Sequence, residues 1–92
     1  MYVTIRSYAG HELADALVAN ESAVKEVIGS VAGVKAYYVV RTEDGTISVT
    51  VSDGQASAEE TNRAAADWVR ENLGGSPGGN VQISGGEVMI DL

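Results

Sequence analysis

The chain opens on a strict alternation. From Tyr2 to Tyr8, Val3 and Ile5 fall on one side of an extended segment, with Tyr2, Thr4, Arg6 and Tyr8 on the other; this is the two-residue period of a β-strand. After Gly10 the period becomes helical. Leu13, Ala16, Leu17, Asn20, Val24, Val27, Ile28 and Val31 share one stripe, and Gly33 suits a helix stop, so the spacing predicts one helix over 11–31. Val34 to Thr42 reads as a strand apolar on both sides, with Ala36, Tyr38 and Val40 opposite Tyr37 and Val39. Asp44-Gly45 is a dipeptide that accepts the positive φ angles of a tight hairpin. The returning strand, Thr46 to Ser52, sets Ile47, Val49 and Val51 against Thr46, Ser48, Thr50 and Ser52. Ser57 and Glu60 have the spacing of a capping box, opening a helix that runs to about Leu73 and stops at Gly74-Gly75. Gly74 to Asn80, with Pro77, reads as a flexible loop. A last strand runs from about Val81 to Ile90, with a bulge expected at Gly85-Gly86.

The order βαββαβ, with right-handed crossovers, predicts an α+β fold of ferredoxin-like architecture: a four-stranded antiparallel sheet with two helices on one face, in one domain over 1–92. The second face then needs a cover. The middle hairpin is apolar on both sides, and Tyr2 and Tyr8 are expected on the face turned away from the helices. A homodimer stacking two sheets answers this, and a half-wet sheet with scattered tyrosines is the alternative.

Composition narrows the function classes. In 92 residues, 45% hydrophobic and 21% charged, there is room for one ordinary globular core. No apolar run approaches the roughly 18 residues of a membrane span, and Met1 leads straight into a strand, so neither a signal peptide nor a membrane partner is expected. With no cysteine, disulfides and thiolate chemistry are excluded, and a cytoplasmic location is expected. A formal charge of −7 with only six basic residues, spread singly, argues against nucleic acid. One histidine leaves no ligand set for a metal, and no cofactor is implied.

The informative positions are polar residues inside apolar stripes. Asn20 falls at the centre of the first helical stripe, and Asn62 near the centre of the second, among Ala58, Ala65, Ala66, Val69 and Leu73. A buried carboxamide without partners costs on the order of 1–3 kcal/mol, so each must meet a backbone group, a water or a ligand. Small residues beside Asn62 leave space, and two such asparagines suggest a cavity between helices and sheet with a few convergent polar groups. Trp68, on the flank of its helix, could wall one end. Tyr37 and Tyr38 point to opposite faces, so one reaches the cavity and the other the dimer seam. Arg6 could meet an anionic ligand or a carboxylate of the partner chain, with a rim salt bridge the expected use. His11 stands at a helix start, where it could act as a general base. No Ser–His–acid set or phosphate loop is present.

The βαββαβ order, the opening Met1-Tyr2-Val3-Thr4-Ile5-Arg6 and the segment Thr61-Asn62-Arg63-Ala64-Ala65-Ala66-Asp67-Trp68-Val69 resemble the antibiotic-biosynthesis-monooxygenase-like group of dimeric α/β-barrel proteins. The resemblance implies two ferredoxin-like subunits paired through their sheets, with a cavity between helices and sheet in each. Some members oxygenate aromatic polyketides without metal or flavin, and others degrade haem. The monooxygenases' third-strand Asn and the Trp near its end are not matched by Ile47-Ser48-Val49 and Ser52-Asp53-Gly54. No His follows Trp68, which disfavours haem degradation. The expected ligand contacts are therefore Asn20, Tyr37, Tyr38, Asn62 and Trp68, around a small apolar or aromatic molecule. The alternative is a structural or regulatory dimer with no pocket.

Overall fold

The computed structural model describes residues 1–74 and 81–92. Four strands, β1 (Tyr2–Ala9), β2 (Val34–Arg41), β3 (Gly45–Ser52) and β4 (Gln82–Glu87), form one antiparallel-paired sheet in the order β2-β3-β1-β4. Three helices, α1 (Glu12–Ala19), α2 (Glu21–Gly29) and α3 (Gln55–Leu73), cover one face of it. This is the expected ferredoxin-like α+β arrangement, with the first helix in two pieces.

The break falls at Asn20. Its backbone closes α1 through Ala16 and Leu17 and opens α2 through Val24, while its side-chain Nδ2 donates back to the Ala16 carbonyl at 2.8 Å. A short amide side chain that bonds the backbone locally competes with regular helix, and here it turns the chain. The apolar stripe survives the turn: Leu13 and Leu17 of α1 and Val24 and Ile28 of α2 are buried together with Tyr8.

The sheet's two faces are the reverse of the expectation. Register pairs Thr4 with Thr50, Arg6 with Ser48 and Tyr8 with Thr46, and these residues are buried under the helices. Tyr37 and Val39 of β2 share that face. Val3, Ile5, Ile47, Val49, Val51, Tyr38 and Val40 make the open face instead. Tyr8 therefore belongs to the core, not to a dimer seam. The polar floor is largely satisfied locally: Thr46 Oγ1 donates to the Gly10 carbonyl at 2.9 Å, and Ser52 Oγ lies 3.3 Å from the Tyr2 carbonyl and 3.2 Å from that of Gly54.

Four local expectations are corrected. The hairpin turns at Glu43-Asp44 without a positive φ, and Gly45 is a strand residue whose Cβ would collide with the Tyr8 carbonyl. Helix α3 starts at Gln55 behind Gly54, so Ser57 lies inside its first turn and bonds Asp53 at 2.9 Å; no side-chain cap forms. The bulge lies in β2 between Val34 and Ala36, while Gly85 and Gly86 pair regularly, Gly85 lying under the Tyr2 ring. Finally, β4 ends at Glu87. Helix α3 stops at Gly74 as expected, that residue taking a left-handed conformation, and the rest of the loop read over Gly74 to Asn80 lies outside the described residues.

Candidate functional site

Between helices and sheet lies a cleft whose floor comes from β1, β2 and β3. Tyr8, Tyr37 and Ser48 face it from the sheet. Leu17, Val24 and Ile28 close it from α1 and α2, and Ala65, Trp68 and Val69 from α3. The helical period puts Ala65, Trp68 and Val69 on one side of α3, at spacings of three and four. The short side chains of Ala65 and Ser48 leave the room. That room is small, about 20 Å³, enough for one water, which needs roughly 10–15 Å³. Leu17, Val24 and Tyr37 also line an outer cleft of about 220 Å³, against Val39 and the Glu21–Lys25 ion pair.

The electrostatics favour neutral phenols beside a cation. Burial raises the Tyr8 phenol above its ordinary value of 10.0, and Arg6 pulls in the opposite direction. Burial likewise raises Tyr37, with Tyr8 adding to the effect and with Arg6 and Ser48 opposing it. Both tyrosines therefore stand as hydrogen-bond donors at neutral pH. The Arg6 guanidinium lies 5.7 Å from the centroid of the Tyr8 ring, within range of a cation–π contact. Its Nη1 reaches the Asn62 backbone carbonyl at 3.4 Å. Arg6 is only 8% exposed, and among the described residues no carboxylate pairs with it, so the expected rim salt bridge is not made.

The sequence-derived residues separate in space. Tyr37 and Trp68 line the cleft. Asn62 sits over Arg6, its side-chain Oδ1 buried without a donor. Asn20 is exposed at the α1–α2 turn and does not face the sheet, because the break rotates it out of the stripe a continuous helix would have made. Tyr38 is 58% exposed on the open face, away from the cleft. His11 does not line the cleft; its Nε2 donates to the Thr42 carbonyl at 2.7 Å and ties the start of α1 to the end of β2. Tyr8 and Ser48 were missed as site residues. Their signal was the polar set of β1 and β3, assigned to the wrong face. Among the described residues, no group of three or more His, Asp or Glu side chains is placed to hold a metal, and no helix is long and apolar enough to cross a membrane.

No protein-family model and no curated protein sequence matches the chain. Solved structures do. A monooxygenase of Streptomyces coelicolor in complex with nanaomycin D superposes with a TM-score of 0.73 at 18% identity, over 99% of this chain and 89% of that one. SnoaB, a cofactor-independent oxygenase of Streptomyces nogalater, gives 0.71 at 6% identity over 99% and 95%. The heme-degrader MhuD of Mycobacterium tuberculosis, with two hemes bound in its active site, gives 0.69 at 13% identity over 100% and 99%. At these identities the likeness is one of fold: the chain has the ferredoxin-like α+β fold of the antibiotic biosynthesis monooxygenases and their heme-degrading neighbours.

Proposed function

We propose that the chain is a homodimeric binding protein that takes a small apolar or aromatic molecule between its helices and sheet, with cofactor-free oxygenation as the sharpest form of that activity. The observation that carries the reading is the cleft itself: an apolar lining with Trp68 on one wall and two neutral phenols, Tyr8 and Tyr37, converging on it. Solved proteins of the same fold hold nanaomycin D and heme. The contacts proposed for the ligand are Tyr37, Asn62 and Trp68, joined by Tyr8. Catalysis without a cofactor would ask little of the chain: exclusion of water and a donor beside the oxygen where negative charge develops. Tyr8 and Tyr37 supply such donors.

The reading requires the helices to part or side chains to swing, since the closed cleft holds about one water. That same closure favours the second reading, a non-enzymatic dimer with no pocket. Oxygen uptake with anthrone-like phenols separates the two. The activity reading expects turnover that falls at least about tenfold in a folded Tyr37→Phe variant, one lost hydrogen bond to developing charge. Absence of both turnover and binding leaves the structural dimer.

The dimer rests on the open sheet face. A lone chain would bury Ile47, Val49 and Val51 and leave the threonines in water, yet here the threonines are buried and the aliphatic row lies open. A second copy stacking its own open face there covers the aliphatic rows of both copies at once. A cytoplasmic location is proposed from the absence of cysteine.

A further inference from the structure

Three surface cations have an acid beside them, Lys25 with Glu21, Arg41 with Asp15 and Arg70 with Asp67, and Lys35 and Arg63, which pair with none among the described residues, are exposed to water. Arg6 is the contrast. It is only 8% exposed, its Nε is buried without an acceptor, and the hydrogen bond its Nη1 makes, to the neutral Asn62 carbonyl, is a long one. All 13 acidic residues of the chain lie among the described residues, and none pairs with it. A buried guanidinium cannot shed its proton to relieve the cost, as a lysine or histidine could. Two further orphaned atoms lie on the same β1–α3 interface: Thr4 Oγ1, two residues along the same strand face in a residue only 3% exposed, and Asn62 Oδ1 on the helix above.

We infer that the Tyr8 side of the cleft, backed from behind that ring by the Arg6 guanidinium, is an anion subsite, and that the ligand is an aromatic compound carrying a carboxylate. The inference rests on the binding reading above and specifies its substrate class. Tyr8 is the link: its side chain lines the cleft, while its ring lies against the Arg6 guanidinium. A carboxylate seated beside Tyr8 and Tyr37 receives two phenolic hydrogen bonds in the field of one cation. The Asn62 carboxamide presents its Nδ2 after a half turn about its terminal bond. One buried cation, in a chain of net charge −7, balances a monoanion; a phosphate dianion would leave a buried charge uncompensated. An aromatic acid is ionised throughout the neutral range, so the site need not deprotonate it. The apolar remainder of the ring system lies against Trp68, Leu17 and Val24.

Calorimetric titration of the intact protein with naphthoate and with naphthamide, equal in size and differing in charge, tests this. Naphthoate is expected to bind at least about tenfold tighter, a difference of about 1.4 kcal/mol. In Arg6→Met the two should bind alike, with naphthamide unaffected. Equal affinity for the two in the native protein overturns the inference and leaves the binding reading standing, as does a carboxylate preference that survives in folded Arg6→Met. The native comparison decides even if the variant fails to fold. Binding of neither probe takes down the binding reading itself.

Discussion

At the scale of single residues, the balance of one charge governs the account. A guanidinium held in the core without a counter-ion costs stability, and replacing it with an unbranched apolar side chain of similar length removes that cost. Arg6→Met should therefore raise the stability of the ligand-free protein by about 1–3 kcal/mol in urea unfolding. A loss of stability would mean that Arg6 is a structural residue with its hydrogen bonds in order. The phenols make a second prediction, at high pH. Below pH 10.0 both folded and unfolded chains keep the Tyr8 and Tyr37 protons; above it the unfolded chain releases protons that the folded one retains. Stability should thus fall as pH rises through 10.0 and level off once the folded phenols ionise. Phenolate absorbance of the folded protein should show a late-titrating component that Tyr8→Phe and Tyr37→Phe each diminish, and identical titrations in these variants would contradict the burial of the two groups.

At the scale of elements, the strand–helix order was legible because each segment keeps one hydrophobic period over many residues, and β1, β2, β3 and α3 lie close to where alternation and helical spacing placed them. The face assignment was not legible. Alternation separates the Val–Ile row from the Thr–Ser row of β1 and β3 but cannot say which row the helices cover, and preference for an apolar interior chose wrongly. Asn20 failed for a related reason: an ideal period carried across 11–31 ignores a side chain that bonds its own backbone. Asn20→Ala should accordingly change stability by no more than about 0.5 kcal/mol and leave ligand binding unaltered. Gly33 is the opposite case. It holds a φ of +89°, and a Cβ there would strike the Asp53 carboxylate and the Ser57 hydroxyl, where the start of β2 meets the start of α3. Gly33→Ala should cost about 2 kcal/mol, the left-handed penalty plus displaced side chains, measurable as a lowered unfolding midpoint.

At the scale of the whole molecule, the two faces of the sheet divide the work. The Thr–Ser–Tyr face, with its short side chains, leaves a polar-floored cleft under the helices, and the Val–Ile face is left open, the apolar surface on which the proposed second copy would stack. Val49 lies between Ile5 and Tyr38 at the centre of that surface. Val49→Asp should convert a dimer into a folded species near 9.5 kDa in sedimentation, whereas a native protein already sedimenting at that mass would refute the dimer. Whether the space between helices and sheet admits an aromatic guest is read out by amide chemical shifts followed during a naphthoate titration. A guest in the cleft should give saturable shifts concentrated at Leu17, Val24, Tyr37, Ala65 and Trp68, with Asn20 and the open-face strand residues unmoved; shifts confined to the Val–Ile face, or none at all, would rule out binding between helices and sheet.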